Sequence, residues 1–246
     1  LATSDDGAGY RPSDSGGMIV TSSELASIVG FDAEYVAAQS RVVTLTPYTD
    51  ANVHLARGAG WHAGAFAGFK PFGPLVIDLR AEYRLAGAGY LPAYVGRLYE
   101  VERLTYLPVE GSPLHQPKVV YADSLHGVRH GYAAEVGANV ASKLFLTGGW
   151  EGTTARSDTA AWAQVRLPPI GRFQAGASYV NSRFHGARGL VDLTHALAVA
   201  ELRVTTLPWL FVDGAYRRRW EVDTRGRYLP VSDWWIGAGV AFGNQP

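Results

Sequence analysis

The residues best equipped for chemistry in this chain recur two apart. Within Leu75 to Leu85, Asp78, Arg80, Glu82 and Arg84 alternate in sign. Side chains two apart share one face of a strand, so opposite charges in this ladder lie close enough to pair. Glu135, Arg166, Arg172, Glu201, Arg203, Asp213, Arg217 and Arg219 fall in the same phase of later runs. Two chemistries suit such a face. The charges can neutralise one another and fill a narrow interior, or they can line a passage and select solutes, as charge rings do in pores. Asp78, Arg80 and Glu82 carry their own counter-charges, and pairing is the favoured reading for them. Arg217 and Arg219 have less acid near them in sequence and are the better candidates to face solute. Arg218 stands in the opposite phase, between Tyr216 and Trp220. Its planar fork suits a lipid phosphate, and snorkelling to water is an equal alternative.

Other chemistries find less support. Of the seven histidines (His54, His62, His115, His126, His130, His185, His195), only His126 and His130 are four apart, and they sit in a β-like period. His54, His62 and His195 read as lumen or loop residues, and neither a metal nor a cofactor is expected. Ser142, Ser178 and Ser182 lie on or beside strands, with His185 three residues after Ser182, but no Gly-x-Ser-x-Gly elbow occurs. Catalytic triads occur in any chain order, so an enzyme stays open as a less favoured reading. No glycine-rich loop opens a helix, which argues against nucleotide binding.

The elements that must position these residues are strands. Leu75, Ile77, Leu79, Ala81, Tyr83 and Leu85 are the apolar complement of the charged ladder. The same period of two returns over 132–140, 144–150, 161–167, 173–179, 196–204, 210–216 and 234–242. Four weaker candidates lie at about 36–48, 53–69, 97–107 and 117–123. Twelve strands is the best count, within a range of 10–14. Residues 1–34 read as a lead, flexible or folded inward as a plug. Within it Ser22 to Gly30 suits one short helix or a turn. Residues 35–246 carry the strands.

Composition narrows the setting. Lys and Arg number 22 and so do Asp and Glu, so no basic excess marks a nucleic-acid binder. There is no Cys, hence neither disulfide nor thiolate site. No run of eighteen apolar residues suggests a transmembrane helix. The opening Leu1-Ala2-Thr3-Ser4-Asp5-Asp6 is not a signal peptide, which reads as a trimmed or a cytosolic chain. A mean hydropathy of −0.02 fits a soluble protein and equally a barrel whose strands average to neutral.

Alternation alone does not separate a sandwich from a membrane barrel, since both have one apolar face. Aromatics cluster near the ends of that face: Tyr83, Tyr132, Trp150, Phe173, Tyr179, Trp209, Tyr216, Trp220, Trp234 and Phe242. They suggest two interfacial girdles. Tight connections near 70–74, 141–142, 168–169 and 207–208 alternate with longer ones at 152–158, 181–191 and 221–232. The last strand, with Gly237, Val240 and Phe242, resembles the assembly signal of bacterial outer-membrane β-barrel proteins, the porin-like superfamily, although four residues follow Phe242. The resemblance covers one strand specifically and 36–242 by pattern. It implies an all-β, transmembrane, antiparallel up-and-down barrel in the outer membrane of a Gram-negative cell. It implies contacts with outer-membrane lipid and the barrel-assembly machinery. The role expected is a channel for passive passage of small solutes or ions. A non-conducting anchor joined to periplasmic or other envelope proteins is the alternative, and an outer-membrane lipid-modifying enzyme the third. A soluble sandwich or lipocalin-like barrel is the competing architecture.

Overall fold

A computed structural model describes residues 2–12, 18–55, 57–92, 107–108, 115–116, 118–154, 159–182, 189–190, 196–207, 209–222, 225 and 227–240. The strands are β1 (Ala2–Pro12), β2 (Met18–Glu34), β3 (Ala38–Gln39), β4 (Val43–His54), β5 (Gly58–Phe72), β6 (Leu75–Ala86), β7 (Leu107–Pro108) and β8 (His115–Gln116). After a single-turn helix α1 (Lys118–Asp123) come β9 (Arg129–Val140), β10 (Leu144–Thr153), β11 (Ala160–Ile170), β12 (Phe173–Ser182), β13 (Ala196–Leu207), β14 (Leu210–Val222) and β15 (Tyr228–Val240). Twelve of these run antiparallel in one sheet, in the order β1-β2-β4-β5-β6-β9-β10-β11-β12-β13-β14-β15, with β3 also on β4. All eight segments with clear alternation are strands. Among the described residues no pairing joins β1 or β2 to β15, so the sheet stays open rather than closing into a barrel.

Several expectations are corrected. Ser22 to Gly30 lies inside β2, not in a helix. There the ladders to β1 and β4 satisfy the backbone from both sides, which outweighs a marginal local helix. Residues 1–34 are therefore not a lead apart from the sheet, since β1 and β2 are two of its strands. The candidate strand 117–123 contains α1. The break expected near 49–52 is absent. Thr49-Asp50-Ala51-Asn52 looks like turn chemistry, but all four pair in β4, and the hairpin turns at 55–57. The candidate strand at 97–107 lies outside the described residues except for Leu107, as does Phe242.

The register sorts side chains by face. One row crosses the sheet through Arg80↔Glu135↔Gly149, a second through Phe145↔Arg166↔Gly176↔Glu201, and a third through Gln174↔Arg203↔Asp213↔Gly237. The charges thus share one face, and the opposite face carries Leu79, Val136, Leu146, Val165, Leu202 and Ile236. The connections 73–74, 141–143, 171–172 and 208–209 join strands at one end of the sheet. Ser40 closes another tight turn at that end, its hydroxyl accepting from the Val43 amide at 2.9 Å. The longer connections lie at the opposite end.

The two margins of the sheet differ from its middle. The lower half of β2 pairs with β4 from Ile28↔His54 to Glu34↔Tyr48. Backbone bonds from Tyr35 and Ala37 then carry the chain along β4 to β3. The upper half of β2 pairs with β1 alone, so the β1–β2 hairpin projects past the long-connection end. Side chains beside the free margins lack a flanking strand. Phe31 is 73% exposed, and Trp234 and Ile236 are 78% and 85%.

Candidate functional site

The densest constellation grows from three neighbouring strands. Tyr48 and Asp50 on β4, His62 on β5, and Arg80, Glu82 and Arg84 on β6 all point to the polar face, because Asp50↔His62↔Arg84 and Tyr48↔Gly64↔Glu82 are register partners. Gly64 makes the convergence possible, since a Cβ there would stand 2.8 Å from the Tyr48 hydroxyl oxygen and 2.5 Å from the Ala81 carbonyl oxygen. Glu82 is buried, and its carboxylate accepts from the Tyr48 hydroxyl, from Arg84 Nε and from Arg80 Nη2, the last at 2.6 Å. Arg84 continues to Glu151 on β10 at 2.7 Å. Arg80 also donates to the Tyr48 hydroxyl oxygen at 2.8 Å and lies over the Tyr48 and Phe66 rings, themselves stacked at 4.7 Å.

A short relay adjoins this network. His62 Nδ1 is 3.0 Å from Asp50 Oδ1, which also accepts from the Asn52 amide, and Nε2 is 3.4 Å from the Tyr90 hydroxyl. Burial, then the charge of Asp50, pushes the Tyr90 hydroxyl well above its ordinary range. It stays protonated and able to donate. Tyr90 packs where only glycine fits: a Cβ on Gly60 would stand 2.1 Å from its ring. Above the network, Leu91 and, from the α1 region, Tyr121, Ala122 and Leu125 form a small apolar cap against Ile28. Arg57 ties the cap down by an ion pair to Asp123 at 2.6 Å.

Asp50, His62 and Glu82 hold three potential metal-ligand atoms within 4.8 Å of one another. The donor set does not suit a cation. The Glu82 oxygens are engaged by two guanidinium groups and a phenol, and His62 Nδ1 faces Asp50. The arrangement is a satisfied ion-pair network, and its chemistry is rigid bracing.

The other half of the polar face holds a cavity of its own. Between β11 and β15 lies a cavity of about 420 Å³ lined by Gln164, Arg166, Gln174, Ser178, Glu201, Arg203 and Asp213. Arg203 pairs with Asp213 at 3.2 Å and covers the Phe211 ring at 4.1 Å. Arg166 stacks on Phe145 at 4.8 Å and forms no ion pair with a described residue. Comparison with known proteins gives no match to any family model or any curated protein. The reading of the site therefore rests on its geometry.

Against the sequence expectations, the structure brings Arg80, Glu82 and Arg84 together and leaves Asp78 outside their network. Glu135 stands opposite Arg80 in register. Arg217 and Arg219 do have an acid: both reach Asp233 across the β14–β15 ladder, at 3.1 and 3.2 Å. Arg172 is not on a strand face but in the turn between β11 and β12. Tyr83, Tyr132, Trp150, Phe173 and Trp234 are exposed on the apolar face, Tyr179 and Tyr216 stand on it half-buried, and Trp209 is exposed in the turn before β14. Trp220 departs from its expected girdle position. It is 3% exposed and packs on Val180, Trp162, Leu197 and Tyr228. The β13–β14 ladder ends at Ala198↔Arg218, so the chain beyond is free to turn the indole onto that cluster. Gly237 faces Asp213 on the polar face, and Val240 is exposed on the other. His130 meets the Tyr83 hydroxyl through Nδ1. Sequence reasoning missed Tyr48, Asp50, Asn52, Tyr90 and Glu151. The first three alternate with Pro47, Thr49 and Ala51, a signal hidden by the turn-like composition of that stretch.

Proposed function

We propose that this chain forms a bacterial outer-membrane β-barrel whose polar lumen passes small solutes or ions. The observation that carries the reading is the face sorting. Across β4–β6 and β9–β15 the ladders put every described Lys, Arg, Asp and Glu except Arg218 on one face, and large apolar groups on the other, such as Leu79, Val136, Leu202 and Ile236, stay exposed. In water that surface would be an aggregation hazard. In a bilayer it is the lipid face, with Tyr83, Tyr132, Trp150 and Trp234 at headgroup depth. Among the described residues no helix is long and apolar enough to cross a membrane, so strands are the spanning elements under this reading. The network around Glu82 and the cap narrow one side of the lumen, and the cavity beside Arg166 is the proposed route for solute. Contacts with the barrel-assembly machinery and outer-membrane lipid follow from the same reading.

Two measurements test it. The protein refolded in detergent should migrate faster on a gel unheated than boiled, and in planar bilayers it should conduct. Arg166→Glu should shift the conductance toward cations, because this side chain is charged, lines the cavity and forms no ion pair with a described residue. A protein that is monodisperse without detergent ends the membrane reading. A heat-modifiable protein that never conducts ends the channel reading and leaves the anchor.

A further inference from the structure

The apolar face is not uniform. Gly148, Ala163, Ala177, Ala198 and Ala200, brought together across β10–β13, form the floor of a groove of about 740 Å³ walled by Leu146 and Tyr216. Two register rows build it. One runs Gly148↔Ala163↔Tyr179↔Ala198↔Arg218. The other runs Leu146↔Val165↔Ala177↔Ala200↔Tyr216, two residues nearer the tight turns. Arg218 therefore stands on β14 at the end of the upper row, next to the lining residue Ala198.

By register, Arg218 is the only Lys, Arg, Asp or Glu on the apolar face of β9–β15 among the described residues. Its Nε is buried and has no hydrogen-bond partner. It follows Leu210 by eight residues, which at about 3.3 Å per residue and a tilt near 40° raises it about 20 Å above the tight turns. That is close to the far rim of a hydrocarbon band about 25 Å tall. A single cation at the rim, beside a trough floored mainly by Ala and Gly with Val165 and Tyr179 among them, matches the outline of a lipid: one phosphate above one chain.

We propose that this groove holds an acyl chain of a phosphate-bearing membrane lipid, with the phosphate on the Arg218 guanidinium. The proposal rests on the membrane reading above. Charge complementarity chooses the occupant. Over the described strands β9–β15, the apolar face of a second copy would bring its own Arg218, a like charge, and by register no carboxylate to meet the first.

The test uses the refolded, heat-modifiable protein in an uncharged detergent, with thermal unfolding as the readout. Dioleoyl phosphatidylglycerol should raise the midpoint, dioleoylglycerol much less, and glycerol 3-phosphate not at all. Arg218→Gln should weaken the phosphatidylglycerol response about tenfold or more, the worth of one charge-assisted hydrogen bond. Ala177→Phe should fill the trough and weaken it similarly, whereas Ala134→Phe, on the same face outside the groove, should leave it intact. Equal responses to the two diacyl lipids, or an unchanged response in Arg218→Gln, would overturn the proposal and leave Arg218 a snorkelling residue. A response to glycerol 3-phosphate alone would overturn the acyl site. If Ala177→Phe does not fold, Arg218→Gln still decides. Failure of the gel shift before any lipid is added points instead to the membrane reading itself.

Discussion

Glu82 carries more partners than any other side chain of the polar face described above, and its neutral isostere separates bracing from mere proximity. Glu82→Gln keeps the shape and removes the charge, leaving Arg80 without its carboxylate and Arg84 with Glu151 alone. Breaking a buried pair from one side costs about 3 kcal/mol, largely through the uncompensated charge that stays behind. Chemical unfolding of the refolded protein in detergent should show a loss of that order. Asp78→Asn, four residues away on the same face but outside the network, should stay within about 0.5 kcal/mol. The ladder Asp78, Arg80, Glu82, Arg84 was legible because spacing by two fixes a common face. Which of the four would be buried was not, because that depends on Tyr48 reaching over Gly64 from β4 and on Glu151 arriving from β10. The Asp50–His62 contact was equally out of reach. It depends on where the β4–β5 hairpin turns, and Asp50 with Asn52 imitates a turn in sequence.

At the scale of elements, the eight clearly alternating segments became strands, since a period of two leaves one arrangement that hides the charges from the apolar side. Legibility failed where local composition and long-range pairing disagree, as in Ser22 to Gly30, which the ladders to β1 and β4 hold extended. The β9–β10 hairpin offers a test of local backbone energetics. Within the connection 141–143, Ala141 and Ser142 both adopt positive φ, 53° and 56°, and form the central pair of a turn closed by the Lys143 amide on the Val140 carbonyl at 2.9 Å, a geometry that matches the strand twist. Neither is a residue that favours this region, and the left-handed conformation costs about 1 kcal/mol or more for an ordinary side chain. Replacing the pair by Asn-Gly should therefore stabilise the protein by about 1 kcal/mol, read as a higher denaturant midpoint with an unchanged slope. The backbone amide of residue 142, which donates to Asn139 Oδ1 at 2.9 Å, is kept in the replacement, so a loss of stability would mean that the Ala141 or Ser142 side chain serves the turn by more than its conformation.

For the molecule as a whole, 22 basic and 22 acidic residues balance, and part of that balance is met by ion pairs on the sheet itself. Arg80, Arg84, Arg203, Arg217 and Arg219 all meet carboxylates across the polar face. Face sorting is legible in the alternation along the chain, whereas the open margin depends on pairings between distant segments and leaves no mark in the sequence. That margin obeys a rule of parity. Because β1 sits above the level of the other strands, the wall itself contains eleven: β2 continued by β3, then β4, β5, β6 and β9 to β15. Neighbours alternate in direction, so the first and last of an odd number run the same way, and β2 and β15 both descend toward the tight turns. A ring in which every seam is antiparallel needs an even count. Any closed form therefore has either one parallel seam, β2 against β15, or one further strand between them, antiparallel to both. The chain lacks cysteine, so engineered thiols report cleanly. A set of pairs, one at Gly30, Asp32 or Glu34 and one at Asp233, Trp235 or Gly237, should oxidise to a disulfide only if the seam is direct. With a strand interposed, the margins stand about 9.6 Å apart, twice the interstrand spacing, beyond the reach of the bond.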